Sequence, residues 1–121
     1  MVRRLVFLAA LIALGAAPKT ISRDDWVKAL RTALPAAFCK PEQYFRQCFK
    51  VTQAECEQTA LSTTRVCLED LKDKIPETLK QPDDGGLWGA KVGECAGNAY
   101  EVSLTKKKIQ SDKCNDPNAW R

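Results

Sequence analysis

Residues 39–67 read CKPEQYFRQCFKVTQAECEQTALSTTRVC, and four of the chain's six cysteines fall inside this stretch, at Cys39, Cys48, Cys56 and Cys67. Its second half carries the strongest helical pattern. Thr52-Gln53-Ala54-Glu55 is a capping box, in which a threonine hydroxyl and an acid three residues on satisfy the free amides of a helix start. Cys56, Ala60, Thr63, Cys67, Leu71 and Ile75 then recur in steps of three and four, the apolar stripe of a helix that buries one face. The pattern predicts a helix from Thr52 to about Pro76. In the first half, Pro41 suits a first helical position. Tyr44 and Cys48 share a face with Phe45 and Phe49 beside it, which predicts a helix over 41–49.

Working outward, Ser22-Arg23-Asp24-Asp25 has the same capping arrangement with Asp in place of Glu. Trp26, Leu30 and Ala33 follow at helical spacing, and Pro35 is expected to end that helix. A fourth stretch, Trp88, Val92, Cys95, Ala99, Val102, Lys106 and Ile109, steps by four and three as a heptad-like seam. The stem of Lys106 can lie along the core edge with its ammonium in water, and Lys106-Lys107-Lys108 suits a helix C-terminus, where cations are favoured. The residues from Pro76 to Gly86 read as a connection, with Pro82-Asp83-Asp84-Gly85-Gly86 as a breaker. No strand pattern stands out. The expected fold is all-α, a small disulfide-stapled bundle of about four helices.

Cys95 and Cys114 complete an even set of cysteines. Zinc sites bring cysteines in closely spaced pairs, whereas here no two are nearer than eight positions and the chain has no histidine. An oxidised framework is the better reading. If helices two and three form an antiparallel hairpin around Lys50-Val51-Thr52, facing residues have nearly constant index sums. Cys48 with Cys56 gives 48 + 56 = 104, and Cys39 with Cys67 gives 39 + 67 = 106. The helical rise turns that offset into only about 3 Å. This predicts a nested hairpin, Cys48–Cys56 inside Cys39–Cys67, with Cys95–Cys114 clasping the tail. Over residues 39 to 67 such a hairpin is similar in architecture to the twin C-x9-C hairpins of the mitochondrial intermembrane space, with C-x8-C and C-x10-C here.

The N-terminus sets the location. Arg3 and Arg4, the apolar run Leu5 to Leu14 and the small residues Gly15-Ala16-Ala17 follow the order of a cleavable secretion signal. The run is too short for a bilayer span of roughly 20 residues. Residues 1–17 are therefore expected to be a signal peptide, leaving 18–121 as one helical domain, secreted or periplasmic, with no stable membrane anchor. Removing Arg3 and Arg4 from 19 basic residues leaves 17 against 15 acidic, a net +2, which demands neither nucleic acid nor an anionic surface.

Few catalytic groups are present. The lack of histidine removes Ser-His-Asp and Cys-His sites, there is no C-x-x-C pair for thiol exchange, and no glycine loop of the phosphate-binding kind. No metal or cofactor site and no catalytic residues are expected. The carboxylates Glu94 and Glu101, and Glu69 and Asp73, read as solvated helix faces. Trp26 and Trp88 fall on apolar stripes. The stretch from Gln81 to Trp88 is the candidate recognition loop, and Asp83, Asp84, Trp88 and Trp120 are the candidate partner contacts, since aromatic residues are enriched in binding hot spots. The leading expectation is a non-enzymatic binding protein that docks on another protein. Alternatives are a carrier for a small apolar ligand, which a helical bundle can enclose, and a carboxylate-based hydrolase built on Glu94 or Glu101.

Overall fold

The computed structural model describes residues 19–120; the expected signal segment, residues 1–17, lies outside them. Strand β1 (Lys19–Ser22) leads into helix α1 (Arg23–Phe38), the single turn α2 (Tyr44–Gln47) and helix α3 (Gln53–Leu71). Strand β2 (Thr78–Gln81) then precedes helix α4 (Asp83–Ser103), and two 3-10 turns follow, Thr105–Lys107 and Pro117–Trp120. The domain is mostly helical and carries three disulfides, as expected.

Both predicted caps form. Ser22 Oγ accepts from Asp25 N at 3.2 Å, and Thr52 Oγ1 accepts from Glu55 N at 3.1 Å. The stripe on α3 is buried at Cys56, Ala60, Thr63 and Cys67. Thr63 and Thr64 bury their hydroxyls by donating to the Ala60 carbonyl, at 3.1 and 2.6 Å, so neither is left unsatisfied.

Three long helices run antiparallel. The end of α1 meets the start of α3 through Cys39–Cys56, while Arg23 at the start of α1 donates to the carbonyls of Lys72 and Ile75 at the end of α3. The index sums agree, 39 + 56 = 95 and 23 + 72 = 95. Helix α4 crosses back over α3, with Cys67–Cys95 and the Glu55–Lys107 ion pair both at a sum of 162 (67 + 95 and 55 + 107). One core cluster holds Trp26, Leu68, Ile75, Leu79, Val92 and Ala96. A second, at the opposite end, holds Phe49, Val51, Ala60, Tyr100 and the Cys39, Cys48 and Cys56 sulfurs. Each fully buried large aliphatic or aromatic side chain contributes about 1.5–3 kcal/mol.

The nested hairpin does not form. The disulfides are Cys39–Cys56, Cys48–Cys114 and Cys67–Cys95, so Cys48–Cys56, Cys39–Cys67 and Cys95–Cys114 are all overturned. Constant index sums do locate antiparallel neighbours here, but the neighbours are α1 and α3. Residues 41–43 are not helical, and α2 is one turn within the connection, too short to be an arm of a hairpin. The resemblance to the twin C-x9-C hairpin falls with it.

Other boundaries shift for local reasons. Helix α1 continues through Pro35 to Phe38; a proline inside a helix removes one hydrogen bond, but Leu34 and Phe38 pack on the cores from this last stretch. Helix α3 stops at Leu71 rather than near Pro76. The residues read as a breaker open α4, with Pro82 as N-cap and Asp83 and Asp84 in the first turn, where acids are favoured by the exposed amides. The strands β1 and β2 pair antiparallel, Ile21 opposite Leu79, and Leu79 is buried. Four residues each is too short for alternation to stand out.

The seam on α4 is also displaced. Val92, Ala96 and Tyr100 are buried, whereas Val102 is 77% exposed and Lys106 lies beyond the helix end. Gly85, Gly89, Gly93 and Gly97 repeat every fourth residue beside that stripe. At Gly97 a Cβ would lie 3.0 Å from the Phe45 ring. The glycine thus admits an aromatic ring against the helix, and burial follows the bulky Tyr100 rather than the smaller Ala99 and Val102. On α1 the same slip leaves Ala33 exposed while Leu34 packs.

Candidate functional site

The bundle end opposite the sheet is built from aromatic rings. Phe38 stacks on Phe45 at 4.2 Å between centroids. Tyr100 meets Phe45 and Phe49 edge-on at 5.0 and 5.2 Å, and its buried hydroxyl donates to the Phe45 carbonyl at 2.8 Å. Tyr44 continues the series outward, at 5.7 Å from Phe49 and 5.6 Å from Trp120. Edge-to-face pairs at these spacings are favourable beyond their area. Phe45 and Tyr44 come from α2, Tyr100 from α4, and Trp120 from the tail that Cys48–Cys114 fastens to the body.

A polar relay crosses the outer rings. The Tyr44 hydroxyl donates to the Glu101 carboxylate and accepts from the Lys108 ammonium. Lys108 also lies over the Tyr44 ring, 4.4 Å from its centroid, and 5.3 Å from that of Phe49, positions that favour a cation. Burial pushes the Tyr44 hydroxyl pKa well above its ordinary value, helped by the hydrogen bond to Glu101 and the negative charge there. Burial likewise holds Tyr100 up at about 12. Both phenols are protonated at neutral pH, so Tyr44 joins a cation to an anion without carrying charge itself.

Between these groups opens a cleft of about 350 Å³ lined by Tyr44, Phe45, Glu101, Cys114, Pro117 and Trp120. The Trp120 indole N–H donates to the Lys113 carbonyl at 2.9 Å, and the Lys113 ammonium covers its ring at 4.6 Å. A larger trough of about 940 Å³ runs beside Arg46, Lys50, Thr52 and Glu55. Its rim is mainly flexible polar side chains, so its volume is mostly open solvent and it fixes no ligand shape.

The residues singled out in the sequence part company. Trp120 stands in the aromatic cleft, but Trp88 packs half-buried on the other core cluster with Lys91 over its ring at 4.6 Å. Gln81 to Trp88 is the end of β2 and the opening of α4 rather than a loop. Asp84 accepts from Lys80 N at 2.7 Å, tying the helix start to β2, and Asp83 is exposed in the same turn. Glu94 and Glu101 line separate clefts, Glu94 beside Asp70, Lys74 and Lys91. Lys107 and Lys108 find partners within the chain, Glu55 and Tyr44. Tyr44, Glu101 and Lys108 span more than 60 residues of sequence, and no local pattern links them.

A family model described as the T2SS substrate NttA matches residues 20–108. This chain belongs to the NttA family. The match begins within β1 at Thr20, takes in β2, all four helices and five of the six cysteines, and ends at Lys108. The Cys114 to Trp120 wall of the cleft lies beyond it. Type II secretion substrates are delivered outside the cytoplasm, and this NttA-family chain is a secreted or periplasmic protein, in keeping with its three disulfides. No curated protein and no solved structure matches the chain.

Proposed function

We propose that this protein is a secreted binding protein that docks on another protein through the aromatic cleft at the clasped tail. The observation that carries this reading is the placement of Trp120 and Tyr44 edge to face beside Glu101 in an open cleft of about 350 Å³. That space accepts one or two side chains, and Trp and Tyr are the residues that dominate protein interfaces when a rigid frame holds them. The matching partner segment offers an apolar side chain to the Tyr44–Trp120 notch and a cation to the outer face of Glu101. The cleft's openness favours a docked segment over an enclosed apolar ligand, which is normally buried on most sides.

A photo-crosslinking residue at Asn118, next to the notch, and at Gln58 on the exposed face of α3 tests the proposal in the secreted state. The expected result is a discrete heterologous adduct from Asn118 alone, lost in Trp120→Ala while the three disulfides and the helical circular dichroism are retained. Equal labelling from both positions, or an Asn118 adduct indifferent to Trp120→Ala, would refute docking at this site.

A further inference from the structure

The order of the disulfides along the chain carries a consequence for maturation. Numbered from the N-terminus, the cysteines pair first with third, second with sixth, and fourth with fifth. Cys39–Cys56 and Cys48–Cys114 therefore interlock, each having one end inside the other's loop. Cysteines that enter an oxidising compartment in chain order meet nearer partners first. Cys48 is 9 residues from Cys39 and 8 from Cys56, but 66 from Cys114. The loop-closure law makes an eight-residue closure about twenty-fold more probable than a 66-residue one in an unstructured chain. Local order does not correct this bias, because residues 39–52 contain only the single turn of α2, and isolated helices that short are not stable.

We propose that this protein is a client of a thiol–disulfide isomerase, which must convert early Cys39–Cys48 or Cys48–Cys56 pairings into the interlocked native set. For an oxidised isomer holding Cys39–Cys48 and Cys56–Cys114, the isomerase thiolate attacks Cys114 and frees the Cys56 thiolate. Cys56 attacks Cys39, forming Cys39–Cys56 and releasing the Cys48 thiolate. Cys48 then attacks the mixed disulfide at Cys114, forming Cys48–Cys114 and returning the isomerase thiolate. Three bonds break and three form, with no net oxidation, so no oxidant or reductant is consumed. In the native fold both ends of Cys39–Cys56 and the Cys48 end of Cys48–Cys114 are 0% exposed, out of reach of an attacking thiolate.

The test reduces and unfolds the full chain, then reoxidises it with diamide alone or with diamide followed by a catalytic amount of a periplasmic disulfide isomerase. Disulfide-linked peptides are mapped at each time. Diamide alone is expected to leave chiefly isomers containing Cys39–Cys48 or Cys48–Cys56, and random pairing of six cysteines reaches the native set only about once in fifteen. Because the bias toward short loops holds the diamide yield at or below that fraction, isomerase should raise the native yield by roughly ten-fold or more. In Cys48→Ser/Cys114→Ser the four remaining cysteines have only three pairings, so the enhancement should fall to about three-fold or less. A native set that forms in high yield from diamide alone overturns the proposal. So does an isomerase effect equally large in the double variant, which would place the difficulty elsewhere than the interlocked pair.

Discussion

Replacing Cys48 and Cys114 together by alanine should both destabilise the domain and open the aromatic cleft. The bond joins residues 66 apart, and the chain-entropy relation assigns a loop of that size about 4 kcal/mol, an upper figure. For a domain of about 100 residues this corresponds to a fall in melting temperature of roughly 15–30 °C. The loss is also directional. Beyond Ile109, whose N–H donates to the Cys48 carbonyl at 2.8 Å, the tail is held by the disulfide, by Lys108 on the Cys114 carbonyl, and by Trp120 against Tyr44. Without the bond, Trp120 should leave Tyr44 while Trp26 and Trp88 stay packed on the other cluster. Thermal unfolding by circular dichroism gives the first quantity. Acrylamide quenching gives the second, as a new accessible fraction from one of the three tryptophans. A melting temperature within about 5 °C of the parent, or unchanged quenching after full loss of the bond, would refute the claim that this disulfide builds the cleft.

Three further outcomes follow from specific contacts. Gly97→Val should cost about 1–3 kcal/mol in urea unfolding, because even a Cβ there comes within 3.0 Å of the Phe45 ring; a neutral result would show that α2 yields freely. Thr52→Ala should cost about 1 kcal/mol through loss of the cap to Glu55 N, read in the same assay. The chain's two tyrosines both have raised pKa values. A raised pKa adds stability that is complete below the unfolded value near 10 and disappears as pH climbs through the folded value, about 12 for Tyr100. Absorbance at 295 nm should thus show no phenolate step near pH 10 in the folded protein, with ionisation delayed until alkaline unfolding. A tyrosine titrating freely near 10 would contradict the buried geometry.

Much of the helical layout was legible because its signals are local. The Ser22 and Thr52 caps act on amides three residues away, and the α3 stripe from Cys56 to Cys67 records a face that is buried whatever covers it. Helix ends were less legible where packing outweighs local preference, as at Pro35, kept helical by the burial of Leu34 and Phe38, and at Asp83 to Gly86, drawn into α4. The close approach of the Phe45 ring to Gly97 on α4 was not readable, since the two are 52 positions apart (97 − 45).

By itself the sequence determined that the chain is an oxidised helical domain, how two of its helices begin, and which face of α3 is buried. These depend on spacing within a few residues. Only the tertiary structure decided which helices are neighbours, and with them all three disulfides, the strand pair and the Tyr44–Glu101–Lys108 relay beside Trp120. An apolar stripe states that a face leaves water but is silent about its partner, because hydrophobic burial is non-directional. The choice of α1 rather than α2 as the neighbour of α3 was made by the whole core, and the cleft at the clasped tail exists only as its result.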